Sequence, residues 1–299
     1  MRNFKSSVSL LMIFGVIIWV SLLYSCKPNP IDIELKIPEP KLVISSQIIP
    51  EQTIFVAVTR SFSALSKSTV NNNVSASFLK TILVENAFVT VSYFDKIDTL
   101  HMVSPGIYSS NTTLQYKYGI YNLFVKDNEG GLTVTSTTTL YPRVLFDSIR
   151  PVVKRTNIDT SVVIDYSFTD LPDVENWYVV NYYIKQSTLD TANLDIATYF
   201  DRGNNKLSEF ELLSDKTFDK GRYISKKVLK NISASDVIAV TLSNISEGYF
   251  KFLTTYQKSG NIINQISGEP ITYPSNINNG YGYFSAHYPD VRIFELDKY

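Results

Sequence analysis

Residues 87–94, AFVTVSYF, set Val89, Val91 and Tyr93 on one side of an extended chain and Thr90 and Ser92 on the other. A period of two cannot build a helix, whose apolar positions recur every three to four residues; it requires a sheet with one buried face. Similar pieces recur at short intervals. Residues 41–49 and 54–60 are rich in β-branched side chains and are split by Pro50-Glu51-Gln52. Residues 99–103 follow a tight turn, and Pro105-Gly106 punctuates the chain before Ile107. Residues 118–125 put Tyr121, Leu123 and Val125 on one face, 127–131 form a turn, and 132–140 make a Thr-rich strand. Many short strands with turns between them are the signature of an antiparallel sandwich. We therefore expect a mainly β protein with an N-terminal Ig-like sandwich over residues 41–141. Residues 61–86 are polar and long for a hairpin, as functional loops often are.

Residues 142–299 are expected to form a second, mostly antiparallel β domain. Residues 162–169 and 177–185 look like a strand pair, and 222–229 and 237–242 like further strands. Between 186 and 222 the pattern weakens, with a short helix expected around 191–200. One helix is better marked, at 246–258. Tyr249, Phe252, Leu253 and Tyr256 share a face, Ser246 is placed to cap the start, and Gly260 follows the end. That aromatic stripe is expected to pack on the sheet, with a sugar or peptide platform as the alternative. Residues 274–289, PSNINNGYGYFSAHYP, combine a turn at Asn278-Asn279-Gly280 with flanking aromatics. They read as a closing segment locked against both halves, or else as a ligand edge.

The chain has one cysteine, Cys26, after an apolar run over 8–24 that Arg2 and Lys5 precede. Start, run and small residue before a break have the anatomy of an export signal. The order Leu23-Tyr24-Ser25-Cys26 resembles a bacterial lipobox, whose cysteine thiol takes the lipid. We expect a signal peptide over 1–25, lipidation at Cys26 and a proline-rich tether over 26–40. Alternatives are an uncleaved anchor or plain secretion. Two or three acyl chains on one residue hold a protein stably on a bilayer.

Lys and Arg number 28, as do Asp and Glu. With so even a balance and no concentrated basic patch, nucleic acid is not the expected partner. Lys226, Lys227 and Lys230 read as a solvated strand end. His101 and His287 stand in no H-E-x-x-H or H-x-H arrangement, and no G-x-S-x-G is present. Asp170, Asp173 and Glu175 lack the spacing of a calcium loop and read as a solvated turn, as does 127–131. No catalytic, metal or cofactor-binding residue is expected, so the chain is read as non-enzymatic, with an unrecognised hydrolase as the outlying alternative.

Taken in order, KLVISSQI, FVAVTRSFSAL, NAFVTVSYFD, SPGIYSS, YGIYNLFVKD, VVIDYSFTDLPDVENWYVVNYY, DVIAVTLSNISEGYFKFL and YPSNINNGYGYFSA, with the lipobox before them, carry a resemblance. The chain is similar to the Bacteroidota outer-membrane lipoproteins catalogued as domain of unknown function 4249. The resemblance implies an Ig-like front domain, a lipid anchor in the outer membrane and a place beside a TonB-dependent transporter. It supplies no catalytic residue to carry over. The residues after Cys26 place acids only at Asp32 and Glu34, so the leaflet stays open between periplasmic face and cell surface. Asp98-Thr99-Leu100, Asp147-Ser148-Ile149 and Asp190-Thr191-Ala192 resemble short O-glycosylation acceptors of that phylum. The expected role is an accessory or binding component of a transporter, with an adhesin or envelope scaffold as the alternative. Residues 61–86 and 186–220 are the expected partner-contacting loops.

Overall fold

A computed structural model describes residues 39–62, 69–70, 73–74, 76–155, 160–172, 174–185, 207–218, 221–259 and 272–299. In chain order these form β1 (Leu42–Ile48), β2 (Thr53–Arg60), β3 (Thr69–Val70), β4 (Asn73–Val74), α1 (Ala76–Ile82), β5 (Ala87–Tyr93), β6 (Lys96–Ser104), β7 (Ile107–Thr113), β8 (Gly119–Asp127) and β9 (Thr133–Leu140). Then follow β10 (Phe146–Arg155), β11 (Thr160–Thr169), β12 (Trp177–Lys185), β13 (Leu207–Ser214), β14 (Arg222–Leu229), β15 (Val237–Ile245), α2 (Glu247–Ser259), β16 (Ile277–Asn278), β17 (Tyr281–Ala286) and β18 (Asp290–Glu295).

The first sandwich is one sheet folded into two layers, in the order β16-β9-β8-β5-β6-β7-β2-β1-β17. β6 makes the fold. Its first half pairs with β5, Thr99 opposite Thr90, and its second half with β7, His101 opposite Ser109. Inward side chains alternate as expected: Val89 and Val91 of β5, Leu123 and Val125 of β8, and Ile44 of β1 are buried in one core. Arg60 and Asp127 join the two layers beside it. Arg60 donates from Nε and Nη2 to Asp127 Oδ2, at 3.0 and 2.6 Å, while Oδ1 accepts the Glu129 and Gly130 N–H groups. Burial alone would raise the Asp127 pKa, but the Gly130 N–H and Arg60 together hold it below the usual carboxylate value.

The second sandwich packs a three-stranded sheet, β10-β11-β14, on a four-stranded one, β13-β12-β15-β18. This seven-strand, two-sheet arrangement is itself Ig-like. Its core faces Ile164 and Phe168 of β11 against Tyr178, Val180 and Tyr182 of β12. Glu211 Oε2 accepts the Tyr166 and Tyr182 hydroxyls, at 3.0 and 2.7 Å. Lys227 is not on a solvated strand end, as its neighbours suggested. It turns toward Glu209 and Glu211, at 3.0 and 3.5 Å, and its ammonium lies over the Tyr182 ring. These charges close the edge between β13 and β14, and inward-pointing charge is a device that keeps an edge from pairing with another chain.

The two sandwiches do not divide at residue 141 into separate stretches. Between β15 and β18 the chain leaves the second sandwich and gives β16 and β17 to the first. β16 pairs with β9, and β17 runs parallel to β1, Val43 opposite Tyr281. The pair covers the edge opposite β6, and Phe284 enters the first core with no exposure. Residues 277–286 thus belong to the first sandwich and not to a domain confined to 142–299. Residues 39–299 cluster as one compact unit.

The helix expected at 246–258 is α2. The Tyr249 N–H donates to the Ser246 hydroxyl at 3.2 Å, the expected cap. Ser246→Ala should cost about 1 kcal/mol, read from urea unfolding. Residues 61–86 are not wholly irregular, since α1 lies on β2, Leu83 bridges Thr59 and Val84 is fully buried. Likewise 207–214 is a strand paired with β12, not loop. The helix expected near 191–200 lies outside the described residues.

Candidate functional site

α2 lies on the outer face of the four-stranded sheet. β12 is therefore covered on both sides, its Val179 reaching a second apolar cluster with Ile245, Tyr249, Leu253 and Tyr283. Tyr283 comes from β17, its ring 5.2 Å from Tyr249 and 5.1 Å from Phe252. The expected aromatic stripe is thus mainly core, although Tyr256 is exposed. Gly248 lets the Tyr283 hydroxyl approach the start of the helix, where a Cβ would collide with it.

Where β1, β12, β13, α2 and the end of β17 meet, the chain leaves a cleft of about 80 Å³. Val179, Phe210 and Leu253 give it apolar walls, and Gln47, Asn181 and His287 its polar ones. Each comes from a different local cause. Gln47 is on the outward side of β1, and its amide N–H donates to the Tyr249 hydroxyl at 2.9 Å. Asn181 interrupts the apolar run WYVVNYYIK on the helix-facing side of β12, and donates to Thr241 Oγ1 at 3.0 Å. His287 follows β17 and extends its ladder, its N–H donating to the Ile48 carbonyl at 3.0 Å.

The His287 ring is buried and lies near Tyr249, 6.2 Å between centroids. Nδ1 is 3.0 Å from Ser243 Oγ. Desolvation pushes its pKa down to about 4, so the imidazole is neutral at pH 7. Ser243 is wholly buried, so its hydroxyl is closed off from solvent. Amide, neutral imidazole and ring faces can hold a polar, uncharged group.

The other sequence candidates are scattered. His101 is exposed on β6. Asp170 accepts the Tyr178 hydroxyl, Glu175 pairs with Lys216 at 3.2 Å, and Asp173 lies outside the described residues. Asp127 is held by Arg60 rather than solvated. Among the described residues no group of three or more His, Cys, Asp or Glu is placed to hold a metal, and no helix is long and apolar enough to cross a membrane. Cys26, the expected signal peptide and the tether up to residue 38 lie outside the described residues, as does Asp190. Thr99 and Ser148 are strand residues of β6 and β10. The sequence reading named neither Gln47, Asn181 nor Ser243; the only local signal was a lone amide in the apolar run around Asn181.

A family model described as Domain of unknown function (DUF4249) matches residues 28–291. No curated protein matches the chain in sequence. Among solved structures the chain is similar to a mutant Salmonella alpha-2-macroglobulin, at 12% identity and TM-score 0.22, covering 73% of this chain and 15% of that one. It is similar to trypsin-activated alpha-2-macroglobulin from Escherichia coli at 9% identity and TM-score 0.23, covering 70% and 15%. The chain thus spans about 15% of the length of these two. A DUF3823 family protein from Parabacteroides merdae is matched at 10% identity and TM-score 0.23, covering 69% of this chain and 90% of that one.

Proposed function

This chain belongs to the family of Domain of unknown function (DUF4249), and from that premise we propose that it is a non-enzymatic outer-membrane lipoprotein, anchored through Cys26, that serves a TonB-dependent nutrient transporter as an accessory or binding component. The observation that carries the reading is the junction cleft. Its walls are apolar, its polar groups are amides and a neutral imidazole, and it is held by strands from both sandwiches. Groups fixed on rigid strands and lacking charge suit recognition more than bond breaking. The anchor reading rests on the residues Leu23-Tyr24-Ser25-Cys26.

Affinity capture of the tagged full-length chain from detergent-solubilised outer membrane, with mass spectrometry of its partners, tests the role. A TonB-dependent transporter enriched over an unrelated tagged lipoprotein is the expected result; its absence sinks the accessory role. Metabolic labelling with an alkyne fatty acid tests the anchor. Label should enter the parent and be lost in Cys26→Ser, with the precursor left uncleaved. Labelling that persists in the variant rejects the lipid site.

A further inference from the structure

The polar atoms of the cleft are not all used within the protein. His287 is only 4% exposed, and among the described residues its ring makes one hydrogen bond, between Nδ1 and Ser243. Ser243 in turn has that ring as its side-chain partner. Its buried O–H therefore donates to Nδ1, because the opposite polarity would leave a buried donor unmade at about 1–3 kcal/mol. The neutral ring then carries its proton on Nε2 and offers an N–H donor at the cleft. Asn181 and Gln47 each spend one amide N–H, on Thr241 and Tyr249 at 3.0 and 2.9 Å, and keep a second. Their amide oxygens remain as acceptors on the same lining.

Amide donors and acceptors, the His287 N–H and an apolar wall at Phe210, with no charged side chain on the lining, form a site that ions fit poorly. A carboxylate or an ammonium would give up water here and meet no opposite charge. A hydroxyl accepts and donates at once. We propose that this cleft recognises the hydroxyl rim of a neutral sugar residue, with one oxygen accepting from His287 Nε2, neighbouring hydroxyls donating to Asn181 Oδ1 and Gln47 Oε1, and a C–H face against Phe210. A cleft of about 80 Å³ takes one edge of a ring and leaves the remainder outside, so a glycan enters by a terminal or side residue. The inference rests on the binding role proposed above but not on the transporter.

The full chain in detergent, with ¹⁵N-labelled histidine, is titrated with glucose, galactose, mannose and N-acetylglucosamine, and with gluconate and glucosamine as charged controls. At least one neutral sugar should shift the His287 Nε2–H resonance saturably. Asn181→Leu, which keeps bulk and removes the acceptor, should weaken that binding about tenfold, and Leu253→Trp, which fills the cleft, should abolish it. Thermal melts check that both variants fold. The inference falls if none of the four sugars gives a saturable shift, if a charged control binds as tightly, or if Asn181→Leu binds as the parent does. Transporter capture without a sugar response rejects only this site, and a sugar response without capture rejects only the transporter.

Discussion

Gly282→Val is expected to destabilise the protein by about 4 kcal/mol and to lower the melting midpoint by roughly 8–16 °C. Two costs combine. Gly282 has φ +99°, which a β-branched residue adopts only under strain. A Cβ there would also run into the Ile44 carbonyl of β1, which is main chain and cannot rotate away. β17 must retreat from β1, and Phe284 would leave the first core with it. Amide exchange should accordingly speed up in β1 and β17 before β11 and β12. Gly131 is the control, since it has φ +68° and nothing within 4 Å of an added Cβ. Gly131→Ala should cost only about 1 kcal/mol, for backbone strain alone. If the two variants melt alike, close approach of β17 to β1 is not what Gly282 provides.

The second large effect is on pH dependence. In the unfolded chain the His287 imidazole titrates near 6.5, and in the folded protein desolvation pushes it down to about 4. Between those values the unfolded chain binds a proton that the folded chain refuses, so stability rises with pH across that window. The contribution is fully present above 6.5 and is lost as pH falls, the loss reaching about 3 kcal/mol by about pH 4. Asp127 works in a lower window. Its folded pKa lies below its ordinary 3.8, so its share is lost only as pH falls beneath that. Urea unfolding of the parent and of His287→Gln between pH 7 and about 4 separates the two. The parent should lose about 3 kcal/mol more than the variant. Parallel profiles would show that the ring is not held neutral by burial.

Strands with one buried face were readable from residues alone. In β5, β8 and β11 the alternation of side chains is the alternation of environments, and a period of two survives any tertiary arrangement. The same holds for α2, whose cap at Ser246 lies next to the helix it starts. β10 was harder to read, because Pro151 falls inside it; the strand tolerates a residue without an N–H because it is an edge of its sheet. β15 has no alternation to read as one-sided, since every residue from Val237 to Ile245 is buried, one face under α2 and the other on the second core. β13 was masked by its acids, which become legible only beside Lys227.

By itself, then, the sequence determined a mainly β protein with an N-terminal sandwich, one-faced strands such as β5, β8 and β11, one capped helix, and a turn at Asn279-Gly280, each specified by neighbours a few residues apart. Tertiary structure alone decided that the two short strands around that turn leave the second sandwich and cover the edge of the first. It also decided that Gln47, Asn181 and His287 line one cleft. Ser285 bonds the Ser46 carbonyl across 239 residues, and Asn276 reaches Thr137 across 139. An exposed sheet edge accepts any extended segment through the same backbone groups, so which segment joins it follows from the whole packed chain and not from the residues of either strand.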